Sequence, residues 1–378
     1  MPNIIQNTGS DTVQGAGGRI AWVDIFKGLC IILMVIGHSD APGVWVTFVY
    51  SFHMAAFIVA AGYTYSGRKY SVIEYIKKRF FSLIVPYAVI NLMFIILISI
   101  LQAAGLGGYI QATEDVAFLT RIRQFFSLHP ATAELGGASW FLVVLFITEC
   151  LCRILQEICW KIPFLRNREL LFMAGVGLWG YYLAVKQISL PFDLDLGLAA
   201  CLLFAIGAAS NRYKALERIP AVEAAACSIV ILLFFGGAFF AGTMPVNWPT
   251  RSFPTLGVWL MISISGVYLL YRLAVFMEGF PTYAKVLTFV GKRTFAVLMW
   301  HFLSFRCLTA LLIAVNIQPV YMLQSSPPAG RKPFLWIVYT CWAIGLCLLG
   351  SVFFSRWKVT DYIFNGKYSA KEKRNDEK

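Results

Sequence analysis

The hydrophobic residues of this chain fall in long runs separated by short polar segments, and these runs set the expected secondary structure. Ten of them come close to the ~20 apolar residues that an α-helix needs to cross a hydrocarbon layer: 21–38, 45–66, 82–104, 139–160, 169–186, 194–210, 221–242, 255–276, 294–316 and 334–354. A transmembrane barrel would instead show alternation in short segments. The pattern predicts an all-α polytopic membrane bundle of about ten helices. Residues 1–18 are read as a disordered N-terminus, 19–355 as one transmembrane domain and 356–378 as a charged tail. The N-terminal 18 residues are polar, contain glycine and lack a basic n-region, so no cleavable signal peptide is expected.

The charges between the runs add an orientation. The connection from Gly67 to Phe81 holds Arg68, Lys69, Lys77, Lys78 and Arg79, and a loop this basic stays cytoplasmic. Every second connection agrees: Lys161, Arg166 and Arg168; Arg212, Lys214 and Arg218; Arg272, Lys285, Lys292 and Arg293; and the tail from Arg356. The opposite loops carry only Arg121, Arg123, Lys186, Arg251, Arg331 and Lys332. Both termini are therefore expected in the cytoplasm and the chain in the inner (cytoplasmic) membrane. The longest outer connection, Gly105 to Ala138, contains Glu114, Asp115, His129 and Glu134. It reads either as a lid or acceptor-binding element or as a solvated loop with a short interfacial helix.

Composition agrees with the bilayer as solvent: 59% of the 378 residues are hydrophobic and 13% charged, with a mean hydropathy of +0.70. The net charge of +13 does not point to nucleic acid, because no basic stripe with interleaved aromatics lies on a soluble module. The nine cysteines sit in or beside apolar runs without CxxC or Cys/His spacing, so they read as small buried hydrophobes and no metal site is expected.

Ionisable groups within spans are functional candidates by default, since each costs several kcal/mol there. In the first span, Lys27 and His38 are eleven residues apart, which at 100° per residue returns to within about 20° of one face, roughly 16 Å along the axis. Asp24 lies three residues before Lys27, close enough to pair across one turn. Lys27 could instead snorkel to the interface with Asp24 neutralising it, and His38 could be a helix-end residue. A face turned into the bundle fits both together. An imidazole suits proton abstraction from a hydroxyl, and a cation deeper in the cavity could hold a negative group.

The segment from Asp24 to His38, with a basic residue, ten intervening residues and a histidine, resembles the first-helix signature of the membrane acyltransferase-3 family. Lys27 stands where many members have arginine, which removes a planar bidentate donor. Ser51-Phe52-His53-Met54 followed by Ala61-Gly62-Tyr63 is similar to the family's second-span segment, with Ala55 in place of its usual proline and Ala61 of its usual serine. Tyr75 to Arg79, with Pro86 and Tyr87, resembles the basic entry to its third helix. Ser139-Trp140-Phe141-Leu142 and Trp300-His301-Phe302 are thinner echoes, and the likeness is strong only over about residues 19–91.

The resemblance implies an O-acyltransferase that moves an acyl group, most often acetyl, from cytoplasmic acyl-CoA to a hydroxyl of a cell-envelope glycan or a lipid-linked sugar. It makes His38 the general base, with Lys27 and Asp24 organising the inner half of the path. Arg79, Lys78 and Arg68 become candidates for the CoA phosphates, although topology and anionic membrane lipids also explain those charges. His53, Trp140 and His301 are candidate substrate contacts, and packing explains His53 equally well. Glu149 and Arg153, four apart, are expected to pair. Arg306 is costly enough to need a partner. The competing reading is a transporter or flippase for an envelope precursor, for which buried ionisable residues also suit a path. Paired interrupted helices in related halves would favour it, and no convincing pair is present.

Overall fold

Backbone polar groups inside a bilayer must be satisfied within their own segment, and an apolar run does this by coiling into an α-helix. The computed structural model describes residues 14–15, 19–107, 118–126, 133–218, 226, 246–324 and 334–367, and among these residues it is helical over most of each predicted run. In chain order the principal helices are α1 (Ala21–His38), α2 (Gly43–Tyr63), α3 (Val72–Arg79), α4 (Val85–Ala103), α5 (Phe118–Phe126) and α6 (Trp140–Lys161). There follow α7 (Glu169–Val185), α8 (Leu194–Tyr213), α9 (Leu256–Glu278) and α10 (Pro281–Gly291). The last three are α11 (Thr294–Ala314), α12 (Leu335–Phe354) and α13 (Lys358–Asn365). Strand structure among the described residues amounts to a two-residue pairing of Gln14–Gly15 with Arg19–Ile20.

Seven stretches of these helices are long and apolar enough to cross a membrane, and the chain is a multi-pass membrane protein. Helix α7 is apolar but shorter, and α6 is long but carries Glu149, Arg153, Glu157 and Lys161. The expected span 221–242, both ends of the chain, Glu114, Asp115 and His129 lie outside the described residues. The tail expected from residue 356 begins with a folded segment. Helix α13 stacks Phe364 on Trp300 with centroids 4.7 Å apart, and its Tyr362 hydroxyl donates to the Phe81 carbonyl at 2.6 Å.

The third span is entered through a capped turn. Ser71 accepts from the Glu74 amide while the Glu74 carboxylate accepts from the Ser71 amide, the reciprocal box that satisfies two orphan donors. Helix α3 then passes through a π-helical turn at Phe80–Ile84 into α4, so Arg79 stands at the point where helix geometry changes.

Helix α8 lies in the most buried of the membrane-length apolar stretches. Apolar side chains gain little by meeting each other in lipid, so close helix pairs rest on small residues that let backbones approach. Gly62 of α2 and Gly207 of α8 do this reciprocally: a Cβ on Gly207 would stand 2.1 Å from the Val59 carbonyl oxygen, and one on Gly62 2.1 Å from that of Phe204. Gly28 and Gly291 seat α1 on α10 in the same way, against the carbonyls of Leu287 and Asp24. This contact fixes the first half of α1, from Asp24 to Gly28.

Gly207→Leu must push α2 off α8, and overpacking of this kind costs about 1–3 kcal/mol or more. Its thermal unfolding midpoint in detergent should fall well below that of the native chain. Gly175→Leu, which enters open space, should leave the midpoint in place.

Candidate functional site

The last residue of α1 delivers His38 to the site. Its Nδ1 lies 3.0 Å from Nε2 of His301, which comes from the middle of α11. Phe302 and Tyr50 flank the His38 ring, with centroids 5.1 and 6.0 Å away. His38 opens on a small cleft of about 50 Å³, lined also by Met34, Tyr50, His53, Trp140 and Trp248. That volume has room for a few water-sized groups, such as a hydroxyl and the atoms around it. The cleft brings together three of the residues the sequence singles out: His38, His53 and Trp140.

His53 is one helical turn from Val49 on α2, and its Nδ1 donates to the Val49 carbonyl at 2.7 Å. Its ring meets Tyr50 at 5.3 Å, so the two-histidine wall is also aromatic. His301, expected against the substrate, has no exposed surface and does not line the cleft. It packs behind His38, touching Phe302 at 4.4 Å and Phe305 at 5.7 Å.

The opposite lip is built from a connection whose chemistry the sequence reading passed over. Trp248 sits in a cluster with Phe253 and Trp259, at 5.2 and 6.0 Å. Asn247 and Ser252 pinch the segment with two backbone hydrogen bonds of 2.8 and 2.9 Å. Arg251 then clasps it to the start of α8: Nε donates to Asp195 at 2.8 Å and Nη2 to Asp193 at 2.8 Å. The Asp195 carboxylate has no exposed surface and also accepts from the Leu190 amide at 2.9 Å. Burial opposes the charge on Arg251, but its bonds to Asp195 and Asp193 outweigh this and raise its pKa above the usual value. Arg251 and Asp193 both hold left-handed φ values, 55° and 53°, a conformation that persists when surrounding contacts over-determine it. Asp195 was legible by the ordinary rule, as a carboxylate inside an apolar run.

The other end of the bundle is occupied by paired charge. Asp24 and Lys27 are half-buried in the first half of α1, and the cleft at His38 does not extend to them. Arg79 makes a two-pronged contact, through Nε and Nη2, with Glu149 of α6. The pairing expected between Glu149 and Arg153 is thus replaced by a tertiary one, and Arg153 turns to Glu157 at 3.0 Å and to the Tyr70 carbonyl at 2.9 Å. A bidentate contact to a buried carboxylate outweighs an i,i+4 pair on one helix. Lys78 lies over the Tyr70 ring at 4.1 Å and donates to its hydroxyl at 2.6 Å. Arg68, with a side chain 57% exposed, reaches Glu169 at 2.7 Å, and Arg212 contacts the same carboxylate. Arg68, Gln156, Trp160, Arg166, Asn167 and the Glu169 carboxylate itself surround a polar cavity of about 190 Å³ there. The three arginine and lysine candidates for one anion are therefore spread over separate partners.

A family model described as an acyltransferase domain, of the acyltransferase-3 type, matches residues 20–356. None of the curated proteins and none of the solved structures matches the chain.

Arg251→Ala strips the buried Asp195 of its counter-charge, a change that costs about 3–5 kcal/mol in buried pairs. Amide exchange over residues 247–252 should accelerate and the unfolding midpoint should fall. The replacement Arg251→Met with Asp195→Leu and Asp193→Asn should recover much of the midpoint, since both carboxylates that Arg251 answers are then gone.

Proposed function

Because this chain belongs to the acyltransferase-3 family of membrane proteins, we propose that it is an O-acyltransferase that moves an acyl group, acetyl in the first instance, from acyl-CoA to a hydroxyl of a cell-envelope glycan or lipid-linked sugar. The observation that carries the proposal is the cleft at the end of α1, where His38 lines a space of about 50 Å³ with His53, Trp140 and Trp248. A neutral imidazole at this position is a competent base near neutral pH.

The step is a direct transfer. The acceptor hydroxyl gives its proton to His38 as its oxygen bonds to the thioester carbonyl carbon. The carbon–sulfur bond breaks, the sulfur leaves with the electron pair, and it takes the proton back from the imidazolium to give free CoA. His53 and the two tryptophans hold the acceptor at the mouth. The cavity at Arg68 and Arg166 supports binding of the CoA phosphates at the basic end, which the distribution of charge between spans assigns to the cytoplasm of an inner membrane. There Arg166 is the freer cation, because Glu169 holds Arg68 and Arg212, and Arg79 is engaged with Glu149.

Purified protein given labelled acetyl-CoA and a panel of envelope glycans should transfer label to one of them, and His38→Ala should reduce transfer by at least 100-fold with its unfolding midpoint unchanged. Transport of a lipid-linked sugar into liposomes, without label transfer by the native chain, would replace this reading by a flippase. In calorimetric titrations with CoA, Arg166→Ala and Arg68→Ala should weaken affinity on the order of tenfold each, the scale of one lost charge-assisted contact. Unchanged affinity in both would move the donor site elsewhere.

A further inference from the structure

The pair formed by His38 and His301 carries more than proximity. Nδ1 of His301 lies 3.0 Å from two carbonyl oxygens of its own helix, those of Val297 and Leu298. Carbonyls only accept, so this nitrogen carries the proton. Ionising either ring would place a cation against the apolar walls formed by Phe302 and Phe305, so both rings are neutral. The Nε2 of His301 is then a lone pair, and it faces Nδ1 of His38 at 3.0 Å. Two lone pairs would repel at that distance, so Nδ1 of His38 must be the donor. The ring planes agree within 10° and the centroids are 5.2 Å apart, which with the short nitrogen separation makes the rings side by side and nearly coplanar. The N–H of His38 therefore points along the ring plane at its acceptor, the alignment a hydrogen bond prefers.

We propose that His301 is a positioning residue: a proton chain from the α11 backbone through His301 locks His38 as its Nδ1–H tautomer and leaves the Nε2 lone pair as the base that faces the acceptor hydroxyl. The inference rests on the acyl-transfer reading for its kinetic consequence, but the tautomer itself does not depend on it. The arrangement uses imidazole where many such sites use a carboxylate or a carbonyl to orient a histidine. A neutral orienting group suits the site, since it fixes the ring without adding a charge to an apolar core. Phe302 and Phe305 pack against the His301 ring, one tilted and one perpendicular to it, which restricts the directions of the donor it offers to the helix backbone and the acceptor it offers to His38.

The full chain has four histidines, so nitrogen-15 spectra of histidine-labelled protein in nanodiscs hold four imidazoles that single substitutions can assign. His38 should show a protonated Nδ1 and an unprotonated Nε2, with a scalar coupling across the hydrogen bond to Nε2 of His301. In His301→Ala the His38 signals should shift toward tautomer averaging. In His301→Gln, whose side-chain oxygen can accept from Nδ1–H, they should stay near the native positions. With the acceptor identified, His301→Ala should lower kcat on the order of 10–100-fold, the usual cost of removing an orienting partner, with KM for acetyl-CoA unchanged and partial rescue in His301→Gln. An Nε2–H tautomer of His38 in the native chain overturns the proposal, and so does a His301→Ala variant with native His38 signals and native kcat. The native spectrum decides the tautomer even where a variant does not fold. Absence of acyl transfer by the native chain counts against the proposed function alone.

Discussion

Every polar group that this chain carries into its apolar bundle has to be answered from within the protein, because the surrounding solvent offers neither hydrogen bonds nor counter-charge. That constraint organises the structure more than any apolar contact does. Glu149 is met by Arg79 from 70 positions earlier, Glu169 by Arg68 and Arg212, and Asp195 by Arg251. Each pair joins segments that the chain keeps far apart, so the charges act as fasteners that set which helices are neighbours at each end. The glycine contacts then decide how closely the helices between those fasteners approach.

The two ends differ in what their polar groups have left over. Around Glu149 and Glu169 the arginines spend donors on carboxylates, and the capacity that remains faces a polar cavity with room for an anion. Around His38 there is no carboxylate among the cleft-lining residues; the polar groups are imidazoles and a phenol set among aromatic rings. An imidazole chain that ends on a helix carbonyl satisfies its own members in sequence and stops with one unspent lone pair. In a site where unsatisfied polarity is expensive, a single surplus acceptor beside a small open space is the feature that separates a reactive site from a packing contact.

Much of the fold was legible in the sequence because it depends on hydrophobic length, a one-dimensional property. The helices found by the apolar runs at 21–38, 194–210, 255–276 and 294–316 coincide with α1, α8, α9 and α11 to within a few residues. His38 was legible for the same reason, since helical spacing to Lys27 lies within one element. What spacing could not supply was partnership between elements. His301 stands 263 positions from His38, and its residue type alone suggested a substrate contact. Glu149 and Arg153 obey the local pairing rule, yet the better-shaped guanidinium of Arg79 takes the carboxylate. Trp248 and the clasp of Arg251 on Asp195 were missed because an apolar helix count treats a connection as empty chain, whereas here the connection forms one wall of the site.

The size of the cleft bears on how the lysine at position 27 is to be understood. A space of about 50 Å³ at His38 admits the reacting hydroxyl but neither the body of a glycan nor a CoA. Both must therefore approach from outside the cleft, and Lys27, eleven residues before His38 in the first half of α1, does not line it. A guanidinium would matter at that position if it had to grip a carboxylate or phosphate in two-pronged fashion. One such grip already exists at that end, Arg79 on Glu149, and two further arginines, Arg68 and Arg212, share Glu169 through single contacts. The substitution that looked like the weakest link of the first-helix pattern leaves the geometry at His38 intact, because that geometry is set by His301 and not by the other end of its own helix.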